Sequence, residues 1–211
     1  MQKALEIGKK SATGSFQLFI GVAASTIIMA IGSITLGILM TQEEYGLYAI
    51  ALIPSYMAIL FTDWGVSAAI IKYAASLRAE NKEEHTYEIV TAGIIFEIAT
   101  GVILSVILLS LSSFIASTVF QKPDSSPLIA IASITILAGA LITASQSSFI
   151  GFEKMELNSL TTIFQAIVKS VASPVLVFLG YSTLGAVLGY TVSFLATAII
   201  SLAILYFTII R

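Results

Sequence analysis

Cysteine is absent from the 211 residues, which excludes disulfides, thiolate metal sites and cysteine nucleophiles whatever the compartment. Charge is scarce too: 10% of the residues are charged, against roughly 25% in an ordinary soluble domain. The net charge of −2, with basic residues singly or in small groups, leaves no stripe for nucleic acid. There is one histidine, His85, set among glutamates in "AENKEEHTYE" without clustered partners. It reads as a solvated loop residue, because a metal site needs converging ligands. No P-loop is present, so nucleotide hydrolysis lacks its phosphate cradle. No cofactor or metal is implied.

What the chain does have is apolar length: 57% of its residues are hydrophobic. Crossing a bilayer core of about 30 Å takes roughly 20 helical residues, and runs of that length recur throughout. Polar punctuation cuts the sequence into six segments, 12–40, 45–74, 89–119, 127–150, 158–179 and 184–210, with no soluble domain between them. The connections are "TQEEYG", "SLRAENKEEHTYE", "QKPDSS", "GFEKME" and "GYST". An isolated strand in lipid leaves backbone groups unpaired, so all six segments should be helices. The expected fold is all-α, a polytopic membrane protein built as one six-transmembrane-helix bundle over residues 1–211. The basic N-terminus "MQKALEIGKK" resembles a signal peptide, but the apolar stretch after it is too long for one and has no evident cleavage site, so it reads as a retained first span.

Orientation follows from the basic residues. With a cytoplasmic N-terminus, Lys3, Lys9, Lys10, Lys72, Arg78, Lys82, Lys154 and Arg211 fall inside and only Lys122 outside. By the positive-inside rule both termini should face the cytoplasm, and the expected location is the cytoplasmic membrane, as a multi-pass protein. Gly185 and Gly189, in "GAVLG", form a small-xxx-small step for close backbone approach. Pro54 and Pro174 remove helical hydrogen bonds and predict kinks in the second and fifth spans, with Pro174 a candidate hinge. Tyr45, Tyr48, Phe120 and Tyr181 fall near outer span ends, as an aromatic belt would. Trp64 is deeper, and lining or packing suits it better than interfacial anchoring.

Three ionisable residues lie well inside the spans: Asp63, Glu97 and Lys169. Each costs about 2.5–3.5 kcal/mol at a helix centre even on a mild insertion scale, so none should face lipid. At 1.5 Å per residue, Asp63 and Glu97 sit roughly 13 Å, and Lys169 roughly 18 Å, from the cytoplasmic helix ends. In the fifth span Asn158, Thr162, Gln165, Lys169 and Ser173 recur at three- and four-residue steps and share one face. Weaker stripes are Thr135, Gly139, Thr143 and Gln146 in the fourth span, and Gly93, Glu97, Gly101 and Ser105 in the third. These faces are candidates to line a hydrated cleft. Two readings stay open. Either Lys169 is neutralised by Glu97 or Asp63 as a buried lock, or Lys169 holds an anionic group while the acids bind a coupling cation or proton.

The stretch "TQEEYGLYAIALIPSYMAILFTDWGVSAAIIKYAA" resembles the polysaccharide flippases of the multidrug/oligosaccharidyl-lipid/polysaccharide (MOP) exporter superfamily. Its acidic-Tyr-Gly-Leu-Tyr turn is Glu43, Glu44, Tyr45, Gly46, Leu47 and Tyr48; its D-x-G step is Asp63 and Gly65; its basic-Tyr-x-Ala end is Lys72, Tyr73 and Ala75. "GSFQLFIGVAAS" and "GFEKMELNSL" are similar too, so the resemblance spans most of the chain. It implies one six-helix lobe of a two-lobed transporter that turns over polyprenyl-linked saccharides, headgroup in a central cavity and tail in the membrane lipid. The second lobe would lie beyond Arg211. Two departures stand out: the arginine such proteins often carry before the first turn is missing from "GILMTQ", and the first span holds no acid between Lys10 and Glu43, where the drug-antiporter branch places one.

The leading expectation is therefore a lipid-linked oligosaccharide or polysaccharide-precursor flippase, with Lys169, Gln165, Thr162, Asn158 and Gln146 lining the cavity and Asp63 and Glu97 coupling an ion or proton. The alternative is a lobe that works only when paired with another membrane chain, a second six-helix lobe or a second copy. An intramembrane enzyme fits poorly, because one loop histidine and one membrane aspartate do not make a catalytic dyad.

Overall fold

The computed structural model describes the backbone of residues 2–80 and 82–210 and the side-chain surroundings of residues 12–80 and 82–208. The side chains of Lys3, Lys9, Lys10 and Arg211, used above for orientation, lie outside the described residues. Among the described residues every regular element is helical: α1 (Gln2–Leu39), α2 (Gln42–Ile59), α3 (Val66–Ala79), α4 (Glu83–Phe114), α5 (Ser126–Ala132), α6 (Ile134–Gly151), α7 (Met155–Leu176) and α8 (Ser182–Leu205). Wide π-turns extend α4 to Val119, α7 to Tyr181 and α8 to Ile210.

Among the described residues four stretches are long and apolar enough to cross a membrane: Ala12–Leu39, Glu83–Val119, Pro123–Gly151 and Met155–Thr208. The first three follow the expected first, third and fourth spans. The last contains the expected fifth and sixth, folded back on itself where Gly180 takes φ 95° and Ser182 φ 45°. The chain is a multi-pass membrane protein. Its outer surface carries Phe19, Ile27, Ile34 and Ile38 of α1 and Ile103, Val106 and Ile107 of α4, all exposed. Such a surface is costly in water and suited to lipid.

The second expected span, 45–74, is a correction. It is not one helix: α2 ends at Ile59, and residues 60–65, "LFTDWG", form a turn before α3. The helix runs through Pro54 without interruption and comes apart six residues later. Trp64 (φ 45°) and Gly65 (φ 86°) both adopt left-handed backbone, which disrupts the helical ladder. Glycine carries the larger departure because it lacks a Cβ to clash. Asp63 compensates for the lost hydrogen bonds: its Oδ1 accepts the N–H of Ser67 at 2.6 Å, serving the first turn of α3.

The rods pack through small residues. The hydroxyls of Ser159 and Ser170 on α7 donate to the carbonyls of Gln17 (2.8 Å) and Ile28 (2.9 Å) on α1. Each step advances by the same number of residues, so α1 and α7 run parallel. α7 and α8 run antiparallel in close contact: a Cβ on Gly189 would lie 2.4 Å from the Cα of Ser173, and one on Gly185 would lie 2.9 Å from the backbone of Leu176. The "GAVLG" step is thus used within the chain, between α7 and α8. The inner rod is α5–α6, with 67% of its most apolar window buried, against 17% for α1 and 17% for α4. Its Ile129 and Ile136 join Leu36, Leu52 and Tyr190 in one core cluster, and its Phe149 joins Ile70, Val90 and Leu205 in a second. Tyr48 belongs to the first cluster at 7% exposure, so it is a core residue and not part of a belt. Tyr181 remains exposed.

Candidate functional site

The break between α2 and α3 sets the geometry of the acidic pair. Thr62, buried, donates its hydroxyl to the carbonyl of Ile59 at 2.9 Å. Thr100 of α4 places its Oγ1 3.2 Å from the carbonyl of Thr62, a bond that ties the break to α4. One turn earlier on α4, Glu97 is 0% exposed. Asp63 and Thr62 are its polar neighbours, although neither makes a contact of hydrogen-bond geometry to a carboxyl oxygen of Glu97, and the buried Oγ of Ser67 has no such contact either. The stripe that carries Glu97 does not line an open cleft. Gly93 packs against Ile70 of α3, and Gly101 against Leu137 and Ala140 of α6, so this face is buried between helices. On the other side of the break Trp64, 77% exposed, joins Phe61, Phe96, Thr100, Ile103 and Leu104 around an outward-facing hollow of about 350 Å³.

Lys169 is elsewhere. Its Nζ lies 5.0 Å from the centroid of the Tyr190 ring on α8, a cation–π contact worth about 0.5–2 kcal/mol depending on solvation. No ion pair joins it to Asp63 or Glu97, so the lock expected as one reading is not formed. Tyr190 is 1% exposed and stands edge-on to Tyr56 of α2 at 5.7 Å and tilted to Phe194 at 4.8 Å. The aromatic group thus fixes the ring against which the ammonium rests.

The rest of the fifth-span stripe is a half-buried polar seam. Gln146 of α6 donates through Nε2 to the hydroxyls of Thr161 (3.3 Å) and Thr162 (3.2 Å) on α7. Those hydroxyls donate in turn to the carbonyl of Asn158, both at 2.9 Å. Asn158, Gln165 and Lys169 are half-buried on that face, while Ser173 is buried and donates to the carbonyl of Ala186 at 3.1 Å. Two arrangements therefore replace the single expected slab: Asp63 with Glu97 at the break, and Gln146, Asn158, Thr162, Gln165 and Lys169 along α6–α7–α8. Sequence reasoning missed Ser67, Thr100, Tyr56 and Tyr190. Gly65, two residues after Asp63, is the only local hint of the break and a weak one; nothing local marks Tyr190. His85 is exposed, and among the described residues no group of three His, Cys, Asp or Glu side chains converges on a metal position.

A family model described as "Polysaccharide biosynthesis protein" matches residues 11–211, nearly the whole chain. The chain belongs to the polysaccharide biosynthesis protein family. This family member also shares its fold with two solved transporters of the MOP superfamily. One is a MOP transporter from Pyrococcus furiosus Vc1 (DSM3638), whose reverse binding-pocket polarity suggests a different function: TM-score 0.79, 15% identity, 96% of this chain and 45% of that one. The other is a multidrug resistance MATE family transporter in an outward-facing conformation: TM-score 0.76, 16% identity, 96% of this chain and 45% of that one. The family member spans 45% of the length of each of these transporters. No functionally curated protein matches it. Both solved structures are of transporters.

Proposed function

We propose that this member of the polysaccharide biosynthesis protein family takes part in flipping a lipid-linked oligosaccharide or polysaccharide precursor across the cytoplasmic membrane by alternating access. The observation that carries the reading is Lys169: a cation deep in a span, held over Tyr190 and unpaired with either membrane acid. A membrane protein keeps such a charge only where it meets water, a partner or a ligand. The phosphate of a polyprenyl-linked saccharide is the anionic ligand that suits it. Gln146, Asn158, Thr162 and Gln165, on the same seam, offer amide and hydroxyl groups to the sugar, while the polyprenyl tail stays in the membrane lipid.

Six crossings suit this reading: α1, the α2–α3 pair, α4, the α5–α6 pair, α7 and α8. The parallel packing of α1 with α7 supports it, since first and fifth crossings run the same way. Lys72, Arg78, Lys82 and Lys154 at one end, against Lys122 at the other, favour cytoplasmic termini. The test is binding of a photoreactive polyprenyl diphosphate saccharide to wild type, Lys169→Ala and Lys169→Arg in nanodiscs. Loss of labelling in Lys169→Ala with retention in Lys169→Arg supports the reading; equal labelling of all three removes Lys169 from it.

A second reading has its own observation. The chain spans 45% of each matched transporter, which supports reading it as one lobe that works when paired with a second lobe or a second copy. Crosslinking in native membranes tests this: a specific adduct supports pairing, and a transport-competent monomer contradicts it. Cation-coupled drug export is disfavoured by a first span without any ionisable residue between Lys10 and Glu43.

A further inference from the structure

We propose that a hollow at one end of the bundle binds the phosphate headgroup of an anionic phospholipid, held by Arg78 and Lys154. The proposal does not depend on the flippase reading. The hollow measures about 170 Å³ and gathers four elements: Arg78 comes from the last turn of α3, Glu83, Thr86 and Tyr87 from the start of α4, Phe152 and Lys154 from the α6–α7 turn, and Thr208 from the end of α8. This is the end that also carries Lys72 and Lys82, read above as cytoplasmic.

Arg78 is built into the hollow. Its guanidinium lies 4.9 Å from the centroid of the Phe152 ring, and Phe152 in turn stacks on Tyr87 with centroids 6.2 Å apart. Phe152 is buried and Arg78 half-buried, so the stack fixes where the guanidinium sits. Among the described residues no carboxylate pairs with it, which leaves its N–H donors for a ligand. Lys154 donates one N–H to the carbonyl of Thr208 at 2.8 Å. An ammonium has three, so two remain. Lys82 contributes nothing here, because Glu80 neutralises it at 2.7 Å.

Two cations against one acid, Glu83, leave the lining one positive charge, the complement of one phosphodiester. Glu153 is outside this lining and borders a second hollow that Arg78 also touches. The volume is several times the share of one water, about 30 Å³, yet below the roughly 300–1,000 Å³ of pockets for drug-sized ligands. A phosphate fits; a nucleotide or an oligosaccharide does not. Level decides the source of that phosphate. Tyr206 and Phe207, beside Thr208, are exposed aromatic side chains at the end of a span, the position at which such rings meet lipid headgroups. Basic pockets between helix ends on the cytoplasmic side suit anionic headgroups. A bound headgroup would join the end of α3 to the α6–α7 turn and, through Lys154, to the end of α8.

The test is native mass spectrometry of the full chain released from a neutral detergent, with phosphatidylglycerol, phosphatidylcholine or inorganic phosphate added. Wild type should retain one phosphatidylglycerol per chain, and Arg78→Gln and Lys154→Gln should each bind it roughly fivefold more weakly, the share of one basic residue at a membrane surface. Lys82→Gln, whose charge already pairs with Glu80, should bind as wild type does. Equal weakening in Lys82→Gln means diffuse surface charge and overturns the site. Phosphatidylcholine held as tightly as phosphatidylglycerol overturns it too, and inorganic phosphate held as tightly as the lipid overturns the lipid assignment. Should either variant fail to fold, a phosphatidylglycerol with a photoreactive headgroup decides on wild type: adducts at Tyr87, Phe152 or Thr208 support the site, and adducts only elsewhere, or none, overturn it.

Discussion

Replacing Gly189 with alanine would put a methyl carbon 2.4 Å from the Cα and amide nitrogen of Ser173 on α7. Nonbonded carbons rest about 3.5–4.0 Å apart, so α7 and α8 must separate locally by roughly 1.1–1.6 Å. Backbone cannot rotate out of the way as a side chain does. Overpacking of this kind costs about 1–3 kcal/mol, and a rigid neighbour puts it toward the upper end. The same separation strains the Ser173 hydroxyl bond to the Ala186 carbonyl, 3.1 Å long, at about 0.6 kcal/mol for an average interhelical bond. Together these give about 2–4 kcal/mol, a shift of roughly 30- to 1000-fold in the unfolding equilibrium. The assay is steric-trap unfolding in bicelles, with Gly37→Ala as control. A Cβ at Gly37 meets nothing within 4 Å, so that change should be neutral or stabilise by up to about 1 kcal/mol through helix propensity. Equal stability of the two variants would refute the α7–α8 packing described here.

Other expectations are equally specific. Gly65→Val, which must hold a β-branched residue at φ 86°, should destabilise the α2–α3 turn by about 1–2 kcal/mol and speed amide exchange there. The backbone N–H of Thr41, then its hydroxyl, holds the Glu44 carboxyl below the ordinary carboxylate range. With a lowered folded value, that capping contribution is fully present above the ordinary value of 4.5 and is lost as pH falls through the folded one. Amide exchange at the start of α2 should therefore rise on acidification, and Glu44→Gln should abolish the acid step. Because the chain has no cysteine, single cysteines report orientation cleanly: a membrane-impermeant maleimide added to intact cells should label Lys122→Cys and spare Lys82→Cys.

The rods were legible because about 20 apolar residues in a row leave the backbone one solution in lipid. The break in the second span was not, since "AILFTDWGVSAAII" is apolar on both sides of Asp63 and a left-handed Trp64 leaves no mark on hydropathy. Pro54 is the stronger helix-breaking signal in this span, yet α2 passes through it. Asp63 was noticed as a charge when part of its structural work is to cap α3. "GAVLG" announced a close approach but not its partner, which is Ser173 on the preceding helix of the same chain. The seam Asn158, Thr162, Gln165 and Lys169 followed from helical periodicity alone. Which charges meet across helices did not, because that depends on how α4, α7 and α8 pack. The separation of Lys169 from Glu97 and the aromatic group under it became visible only in three dimensions.

The most direct measurement is flipping itself: proteoliposomes holding the protein and a fluorescent polyprenyl diphosphate saccharide, with dithionite destroying dye in the outer leaflet. Wild type should make essentially all the dye accessible, while Lys169→Ala leaves the inner-leaflet half protected. Complete accessibility with Lys169→Ala at the wild-type rate would contradict the account.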